Sequence, residues 1–439
     1  MNLLQPLLFA LVTFVSVFWA FRSAKKIIRN IRLGKSASIK GDKLVRWKNV
    51  LLLAFGQQKM FRNPGVAILH LFVYLGFVII NIEIIEIIID GLTGEHRIFA
   101  PYLGAIYPLL INSFELLAVL VIVACILFLI RRNILPVKRL KSKDLEGWPQ
   151  SDATIILVTE IILMSLFLLM NASDTLLQSR AVSPYATHAS GSFWFSSMLH
   201  PLFQHSANST LIIVERSTWW LHILGIYGFL NYLPTSKHLH ILLAFPNAYY
   251  ASLNPTGKME NMPSIQQEVL YAMQPELAPT TQEGVPPRFG AKDVQDLTWK
   301  NLLDAYSCTE CGRCSSACPA NQTGKLLSPR KIMMDTRDRL EEVGQSIDKN
   351  GEWKEDGRSL LHDYIKIEEL NACTTCNACV QECPVSISPM DIILQLRRNL
   401  VMEESNTPAE WASLFSNVEN NFAPWKFSPT DRENWIHQS

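Results

Sequence analysis

The chain has 439 residues, of which 49% are hydrophobic and only 18% are charged, and its mean hydropathy is positive. This composition excludes intrinsic disorder, which requires low hydrophobicity and high net charge. The formal net charge of +1 conceals two opposite parts, because residues 1–243 carry 22 Lys and Arg against 12 Asp and Glu, whereas the remainder carries 18 against 27. A basic body is therefore joined to an acidic one.

Five apolar stretches of the basic part approach the ~20 residues that a helix needs to cross a bilayer core of ~30 Å. They are Leu3–Phe21, Pro64–Ile89, Pro108–Ile130, Ala153–Asn171 and Leu211–Leu233. The first has no basic region before it and no small-residue cleavage site after it, so we expect a retained helix rather than a signal peptide. Segments 22–63 and 131–151 hold 12 and 6 Lys and Arg, whereas 90–107 and 173–208 hold one each. The positive-inside rule predicts an N-terminus outside and everything after helix five in the cytoplasm.

Eight of the nine cysteines lie in the acidic part, in two runs of the form Cys-x2-Cys-x2-Cys-x3-Cys-Pro. This spacing is typical of bacterial ferredoxins with [4Fe–4S] clusters, in which the fourth cysteine of each run binds the other cluster. The predicted ligand sets are Cys308, Cys311, Cys314 and Cys383 for one cluster, and Cys373, Cys376, Cys379 and Cys318 for the other. The alternative is zinc, but a zinc site needs four thiolates and has no use for the third cysteine of each run.

Helical patterns dominate the rest of the acidic part. Residues 328–343 carry apolar side chains at helix-like spacing (Ile332, Met333, Leu340 and Val343), and residues 390–401 do so again (Ile392, Ile393, Leu396 and Leu400). Strand patterns are scarce. We therefore expect an all-α protein with a membrane domain at 1–245, a Pro-rich linker at 246–290, a two-cluster ferredoxin domain at 291–405, and a C-terminal tail at 406–439 that contacts a partner.

Histidines in the apolar part are candidate haem ligands, because ionisable groups inside a membrane are costly and indicate function. His70 lies near the cytoplasmic end of helix two. His222 and His240 are 18 residues apart, which is five turns if helix five continues past Pro234. His70 and His240 share the cytoplasmic depth, and they form the predicted bis-histidine pair. The alternative is that His238 and His240, beside Lys237, belong to an ordinary basic segment at the membrane edge, and that His70 only satisfies a local hydrogen bond.

The stretch from Leu221 to His240, which ends in Pro-Thr-Ser-Lys-His-Leu-His, resembles the fifth helix of the nitrate reductase gamma subunit family, which includes the membrane cytochrome of heterodisulfide reductase. The resemblance implies a five-helix transmembrane cytochrome b-like bundle with two b haems on histidine pairs of helices two and five. His222 and His240 match the helix-five pair, and His70 matches the inner ligand of helix two. The outer ligand falls at Ile80, which cannot bind iron.

We therefore expect one haem b, held by His70 and His240. A second haem is the alternative, for which His222 would take its partner from the outer loops. Those loops offer four histidines: His96, His188, His200 and His205. Otherwise His222 is a hydrogen-bond donor to a quinone or a structural residue.

The first cysteine run, followed by Gly324-Lys325 and Ser328-Pro329-Arg330, is similar to the iron–sulfur subunits of heterodisulfide reductase and anaerobic glycerol-3-phosphate dehydrogenase. That similarity implies a helical ferredoxin domain. In many such proteins two Cys-Cys-Gly domains follow and carry out the catalysis. No Cys-Cys pair occurs before Ser439, so we expect the catalytic domain on another polypeptide.

Acidic residues of the apolar stretches are candidate acceptors for protons from a quinol. Glu83, Glu86 and Asp90 share one face of helix two, and Glu115 and Glu160 lie inside helices three and four. The alternative, for Glu86 and Asp90, is a solvated position at headgroup level.

The basic run 22–48 predicts an amphipathic helix on an anionic membrane surface. We expect no nucleic-acid partner, because no nucleic-acid-binding motif accompanies these charges.

Together these patterns predict an electron-transfer subunit of an oxidoreductase complex in a bacterial cytoplasmic (inner) membrane. Electrons would pass between a membrane quinone, haem b, two [4Fe–4S] clusters and a soluble cytoplasmic redox subunit, for which a Cys-Cys-Gly protein is one option. The alternative function is a membrane-anchored ferredoxin, whose helices are only a tether without haem or quinone.

Overall fold

The computed structural model describes residues 4–37, 39–187, 190–255, 257–259, 261–279, 288–431 and 433–437. These residues are predominantly helical and contain no β-strand, only two isolated bridges that join Lys35 to Thr298 and Leu361 to Ile365. The all-α prediction is confirmed.

Nine α-helices occupy the described residues before position 250. They are α1 (Leu4–Ile31), α2 (Lys43–Asn49), α3 (Pro64–Thr93), α4 (Ala100–Leu103), α5 (Ile106–Asn133), α6 (Trp148–Ser179), α7 (His200–Phe203), α8 (Asn208–Tyr232) and α9 (His240–Tyr249). The five long ones form a ring, in which α1 contacts α3, α3 contacts α5, α5 contacts α6, α6 contacts α8, and α8 returns to α1.

Four helices of this ring, namely α1, α3, α5 and α6, are long and apolar enough to cross a membrane. The fifth, α8, has 25 residues but carries Glu215 and Arg216 in its first half, which lowers its hydropathy. Four of the five predicted spans are therefore supported by length and composition, and the crossing of α8 stays a prediction.

The fifth helix ends before Pro234. The continuation on which the five-turn spacing of His222 and His240 depends does not occur. It ends at Tyr232, two 3-10 turns follow, and Ser236 between them is extended (φ −115°, ψ 150°) before α9 begins at His240. Proline lacks the N–H that a helix interior requires, which accounts for the end of α8. His222 and His240 therefore lie on two different helices and are not five turns apart on one.

The second half contains nine more α-helices in its described residues. They are α10 (Pro263–Met273), α11 (Trp299–Tyr306), α12 (Arg313–Ala317), α13 (Pro319–Gln322), α14 (Pro329–Asn350), α15 (Ile367–Asn371), α16 (Ala378–Glu382), α17 (Pro389–Met402) and α18 (Ala409–Asn421). Helix α14 contacts α11 and α17. Both apolar stripes predicted from the sequence are buried between them.

Helix α1 extends beyond the bundle and enters the core of the second half. Ile27 is buried in the same apolar cluster as the residues of α14 and α17. Asn30 donates a hydrogen bond from Nδ2 to the Tyr306 hydroxyl at 2.9 Å, and Arg29 donates to the Gly344 carbonyl at 2.9 Å. The basic run 22–48 is therefore not one amphipathic surface helix, because its first ten residues prolong α1 and only residues 43–49 form a separate helix.

Candidate functional site

The eight cysteines surround two cavities, and each cavity is lined by three cysteines of one run and the fourth of the other. Helices α12 and α16, which follow the first two cysteines of each run, contact one another and produce this exchange. We call the two sets the proximal group, Cys308, Cys311, Cys314 and Cys383, and the distal group, Cys318, Cys373, Cys376 and Cys379. The structure thus brings together the same two sets of four that the spacing predicts.

The two groups differ in their access to solvent. In the proximal group Cys308 and Cys383 are buried, and the lining includes the apolar side chains of Met333 and Ile387. In the distal group Cys376 is exposed. Cys318 and Cys379 of the distal group are buried as well, so the two groups differ only in that the distal group has one exposed cysteine and the proximal group has none.

Burial also governs the chemistry of the thiols. Desolvation raises the pKa of Cys308, Cys379 and Cys383 to about 12, so these thiols are protonated at neutral pH when no metal is bound. Backbone N–H groups of Ile387 and Thr375 donate to the sulfurs of Cys383 (3.3 Å) and Cys373 (3.4 Å). Hydrogen bonds to ligand sulfurs are one means by which a protein adjusts an iron–sulfur potential.

The structure brings His70 and His240 together. Their ring centres are 6.5 Å apart, although His70 lies on α3 and His240 begins α9. Two imidazoles that bind one metal from opposite sides have ring centres about 6 Å apart, since each metal–nitrogen bond is about 2.0 Å. The separation fits a shared metal.

Each of these imidazoles is also oriented by a second group. His70 Nδ1 lies 3.0 Å from the Gln57 Oε1, and His240 Nδ1 lies 2.9 Å from the Lys237 carbonyl oxygen. Both partners accept hydrogen bonds, so Nδ1 carries the proton in each ring and the Nε2 lone pair is free for a metal. Ligand histidines in metalloproteins are held in this way.

His222 has different surroundings. It is fully buried on α8, its Nδ1 donates to the Leu163 carbonyl oxygen at 3.0 Å, and its ring lies 6.2 Å from that of Phe167. Ile80, where the family's outer ligand falls, is a buried apolar residue.

None of the candidate partners for His222 within the described residues lies beside it. His96 pairs with Asp174, His200 contacts Thr175, and His205 contacts Gln204. His188 lies outside the described residues. The structure thus brings together one pair of the predicted haem ligands and leaves His222 without a second imidazole among the described residues.

A short segment connects the histidine pair to the proximal group. We call residues 57–59 the bridging segment. Gln57 contacts His70, as described above, and the Lys59 Nζ donates to the Cys383 carbonyl oxygen at 3.0 Å. In return, Arg313, which lies between Cys311 and Cys314, donates to the Lys59 carbonyl oxygen at 3.0 Å. The histidine pair and the proximal group are therefore adjacent.

A second contact, between Arg330 and Asp144, joins the two halves beside the proximal group. The Arg330 side chain is 1% exposed and binds Asp144, in the α5–α6 connection, through Nε at 3.0 Å and Nη2 at 2.6 Å. Arg330 also donates to the Arg139 carbonyl oxygen at 2.8 Å. Hydrogen bonds from Arg330 hold the pKa of Asp144 below its usual range despite partial burial. The two halves are thus held by charged contacts beside the proximal group.

The predicted acidic residues lie at the opposite end of the bundle. Glu86 accepts hydrogen bonds from the Phe99 N–H and the Tyr107 hydroxyl, both at 2.9 Å, and Asp90 accepts from the Arg97 N–H at 2.9 Å. Both carboxylates are buried, which contradicts a solvated headgroup position. They tie the α3–α5 connection to α3.

The other three predicted acidic residues differ in their surroundings. Glu115 is buried and accepts hydrogen bonds from the N–H groups of Phe195 and Ser196. Glu83 is buried without a hydrogen bond, and its nearest charge is the Arg97 guanidinium at 3.7 Å. Glu160 is only half-buried. Three of the five predicted proton acceptors therefore have structural roles.

Residues of the bridging segment and the Arg330–Asp144 pair were not identified from the sequence. Gln57 and Lys59 belong to a connecting loop without a motif, and Lys59 binds Cys383, which is 324 positions away. The sequence gives one signal for Arg97, which is the only Lys or Arg between residues 90 and 107.

Comparisons with known proteins bear on these sites. Residues 307–387 match the family described as "4Fe-4S dicluster domain". The chain is 28% identical to the "Probable iron-sulfur-binding oxidoreductase FadF" of Bacillus subtilis, over 98% of this chain and 60% of that protein. It is 26% identical to the "EtfAB:quinone oxidoreductase" of Syntrophomonas wolfei, over 92% of this chain and 56% of that protein. No solved structure matches.

Other matches cover a third of this chain or less. A "Probable membrane-anchored ferredoxin" of Chromohalobacter salexigens is 35% identical over 33% of this chain and 24% of that protein. Heterodisulfide reductase subunits of Methanosarcina species match as well. The chain spans about 60% or less of the curated relatives just named. By name these relatives are iron–sulfur oxidoreductases, a membrane-anchored ferredoxin and heterodisulfide reductase subunits. In this chain a 4Fe-4S dicluster domain follows four helices that are long and apolar enough to cross a membrane.

Proposed function

We propose that the protein transfers electrons between a membrane quinone and a soluble redox partner, through one haem b and two [4Fe–4S] clusters. The observation that carries this proposal is the adjacency of the three sites. The His70–His240 pair contacts the bridging segment, the bridging segment contacts the proximal group, and α12 and α16 join the proximal group to the distal group. Sites in this order suit a chain of electron carriers.

The proposed ligands follow from the geometry already given. His70 and His240 hold the haem through Nε2, and the proximal and distal groups each hold one cluster. The match of residues 307–387 to a dicluster domain favours iron–sulfur clusters over zinc. The bound cofactors supply one-electron redox chemistry, whereas the protein supplies ligation, spacing and electrostatics. His222, packed against Phe167 and bonded to Leu163, is a structural residue in this proposal.

The exposure of the cysteines supports a direction of electron transfer, because no cysteine of the proximal group is exposed. Residues around it are shared with the bundle, so it exchanges electrons with the histidine pair. The distal group, with Cys376 exposed, faces the soluble partner. The names of the relatives support the two ends of this path, since one is called EtfAB:quinone oxidoreductase and others are heterodisulfide reductase subunits. A quinone on the membrane side and EtfAB or a Cys-Cys-Gly protein on the soluble side are therefore the proposed partners.

The proposed topology places all five helices of the ring across a bacterial inner membrane. The N-terminus is outside and the cluster half is in the cytoplasm, as the distribution of Lys and Arg over the connecting segments predicts. Helix α8 crosses within the ring although its hydropathy is lower, because its buried Glu215 accepts a hydrogen bond from the Tyr185 hydroxyl at 2.8 Å and faces away from lipid.

One relative favours a second candidate function. The name "Probable membrane-anchored ferredoxin" corresponds to a cluster domain with helices that serve only as a tether. This alternative predicts iron–sulfur clusters without haem and without reaction with a quinol. Unlike the main proposal, it assigns no haem to His70 and His240 and no electron exchange with a quinone.

Spectroscopy and kinetics of the purified membrane protein test the proposal. We expect the sharp bands of reduced haem b over the broad absorption of iron–sulfur clusters, one haem for eight iron atoms in clusters, and haem reduction by a quinol. Protein with clusters but no haem supports the tether function. Two haems contradict the structural role of His222.

Exchange of single cysteines tests the ligand sets. Cys383→Ser should alter the same cluster signal as Cys308→Ser, and Cys318→Ser the same signal as Cys376→Ser. If Cys383→Ser instead altered the signal affected by Cys376→Ser, the exchange of fourth ligands between the runs would be disproved.

A further inference from the structure

The bridging segment contacts both proposed redox sites within three residues. Gln57 is buried and reaches His70, whereas Lys59 reaches the Cys383 carbonyl oxygen and receives a hydrogen bond from Arg313. Arg62, three residues further on, pairs with Glu382 next to Cys383. A segment without any sequence motif therefore makes polar contacts with a proposed ligand of each centre.

The backbone of this segment is held in an unfavourable conformation. Gln57 has φ +48°, in the left-handed region that residues with a side chain rarely adopt. Such a conformation is strained and persists only where surrounding contacts enforce it. Here the Met60 N–H donates to the Gln57 carbonyl at 2.7 Å and the Gln58 N–H donates to the Leu52 carbonyl at 3.0 Å. These contacts keep the Gln57 side chain directed at His70.

Charge is distributed unequally between the two cysteine groups. The Lys59 ammonium and the Arg313 guanidinium lie at the proximal group, where the charge of a third cation, Arg330, is balanced by Asp144. At the distal group, Arg397 donates to the carbonyl oxygens of Cys373 and Leu370. Because reduction adds negative charge to a cluster, a nearby cation stabilises the reduced form and raises the reduction potential.

We propose that two residues of the bridging segment, Gln57 and Lys59, set the reduction potentials of the two centres that the segment joins. Gln57 is a positioning residue, which orients His70 and strengthens it as a ligand by accepting its Nδ1 proton in a hydrogen bond. Lys59 raises the potential of the centre held by the proximal group. This inference rests on the proposed function, because it requires a haem on His70 and a cluster on Cys383.

Redox titration of the two clusters by electron paramagnetic resonance tests the role of Lys59 in the intact protein. In Lys59→Met we expect one cluster potential to fall and the other to stay, whereas Lys59→Arg retains the wild-type value. Lys48→Met is the matched control, since Lys48 is an exposed lysine of the same connection, and it should leave both potentials unchanged. Arg397→Met should shift the potential that Lys59→Met leaves in place. Unchanged potentials in Lys59→Met, or an equal shift of both, would overturn the inference.

Haem potentials and low-spin haem spectra test the role of Gln57. Gln57→Leu removes the acceptor and should raise the haem potential, because a less basic imidazole stabilises ferric iron less. Gln57→Glu provides a stronger acceptor and should lower that potential. Gln58→Leu changes the exposed neighbour and should have no effect. Shifts of Gln57→Leu and Gln57→Glu in the same direction, or no shift, would contradict the positioning role.

Three outcomes separate this inference from the proposed function. Loss of haem from Gln57→Leu with both clusters retained supports the positioning of His70. A wild-type protein without haem refutes the proposed function itself. Haem-loaded variants with wild-type potentials refute only the tuning by the bridging segment.

Discussion

Replacement of Asp144 by alanine should loosen the contact between the two halves of the protein. Asp144 accepts two hydrogen bonds from the Arg330 guanidinium, at 2.6 and 3.0 Å, and it is the carboxylate that Arg330 binds. Arg330 is 1% exposed, so the substitution leaves a buried cation without its counter-charge. Only neutral acceptors remain, which include the carbonyl oxygen of Arg139 at 2.8 Å.

Removal of one partner of a buried ion pair typically costs about 3–5 kcal/mol. We expect the lower end, about 3 kcal/mol, because the carbonyl acceptors still compensate part of the charge. At about 1.4 kcal/mol for each factor of ten, the contact should open on the order of 100 times more often. The Asp144 pKa is depressed in the folded protein, so its contribution is fully present above the ordinary pKa of about 3.9 and is lost only as the pH falls through the lower folded value. The wild-type contact should therefore not change between pH 5 and 8.

Hydrogen exchange measured by mass spectrometry follows this opening directly. Amides of residues 138–145 and of the first turn of α14 should exchange about 100-fold faster in Asp144→Ala, as the opening equilibrium dictates. Glu146→Ala is the control, since Glu146 is exposed on the same connection. Unchanged protection in Asp144→Ala, or equal acceleration in both variants, would refute the assigned role of the Arg330–Asp144 pair.

Two further predictions concern the ligand sites. His70→Ala and His240→Ala should each abolish the same haem absorption, whereas His222→Ala should retain it at reduced stability; a full spectrum in either of the first two variants would exclude the proposed pair. Gly312→Ala should lower stability by more than the roughly 1–2 kcal/mol that a left-handed backbone costs a residue with a side chain, because its Cβ would lie 2.5 Å from the Arg330 Nη1. Gly324→Ala, with similar φ and no atom within 4 Å of the new Cβ, isolates the backbone cost. The denaturation midpoint of cluster absorption compares the two variants, and equal losses would contradict the steric argument.

Some of this arrangement could be predicted because the information is local in the sequence. Helix periodicity identified the buried stripes of α14 and α17, and the cysteine spacing gave the two sets of four that line the cavities. The proximity of His70 and His240 was expected at a common depth, but the continuous fifth helix used in that argument is interrupted at Pro234. The depth of a histidine in the membrane can be predicted by counting residues from the end of its apolar stretch. The direction of its imidazole ring also depends on where the helix is interrupted, and counting residues does not reveal that.

Other contacts could not be predicted, since they join residues that no local pattern relates. Lys59 is 324 positions from Cys383, and Arg330 is 186 positions from Asp144. Burial of Glu86 and Asp90 likewise depends on how the α3–α5 connection folds back over α3. These contacts depend on the tertiary fold and not on local helix propensity or hydrophobic pattern.

The passage of α1 into the cluster half changes how the protein can be divided. Ile27 and Leu239, from the first 245 residues, belong to the apolar core that surrounds the cysteine groups. A fragment that begins after the linker would lack both side chains and expose the apolar surface that they cover. We expect such a fragment to aggregate or to lose its clusters, whereas coexpression with the N-terminal half should restore it. The cluster half therefore folds together with residues from both sides of the linker. No single cut in the sequence separates it from the membrane half without removing part of its core.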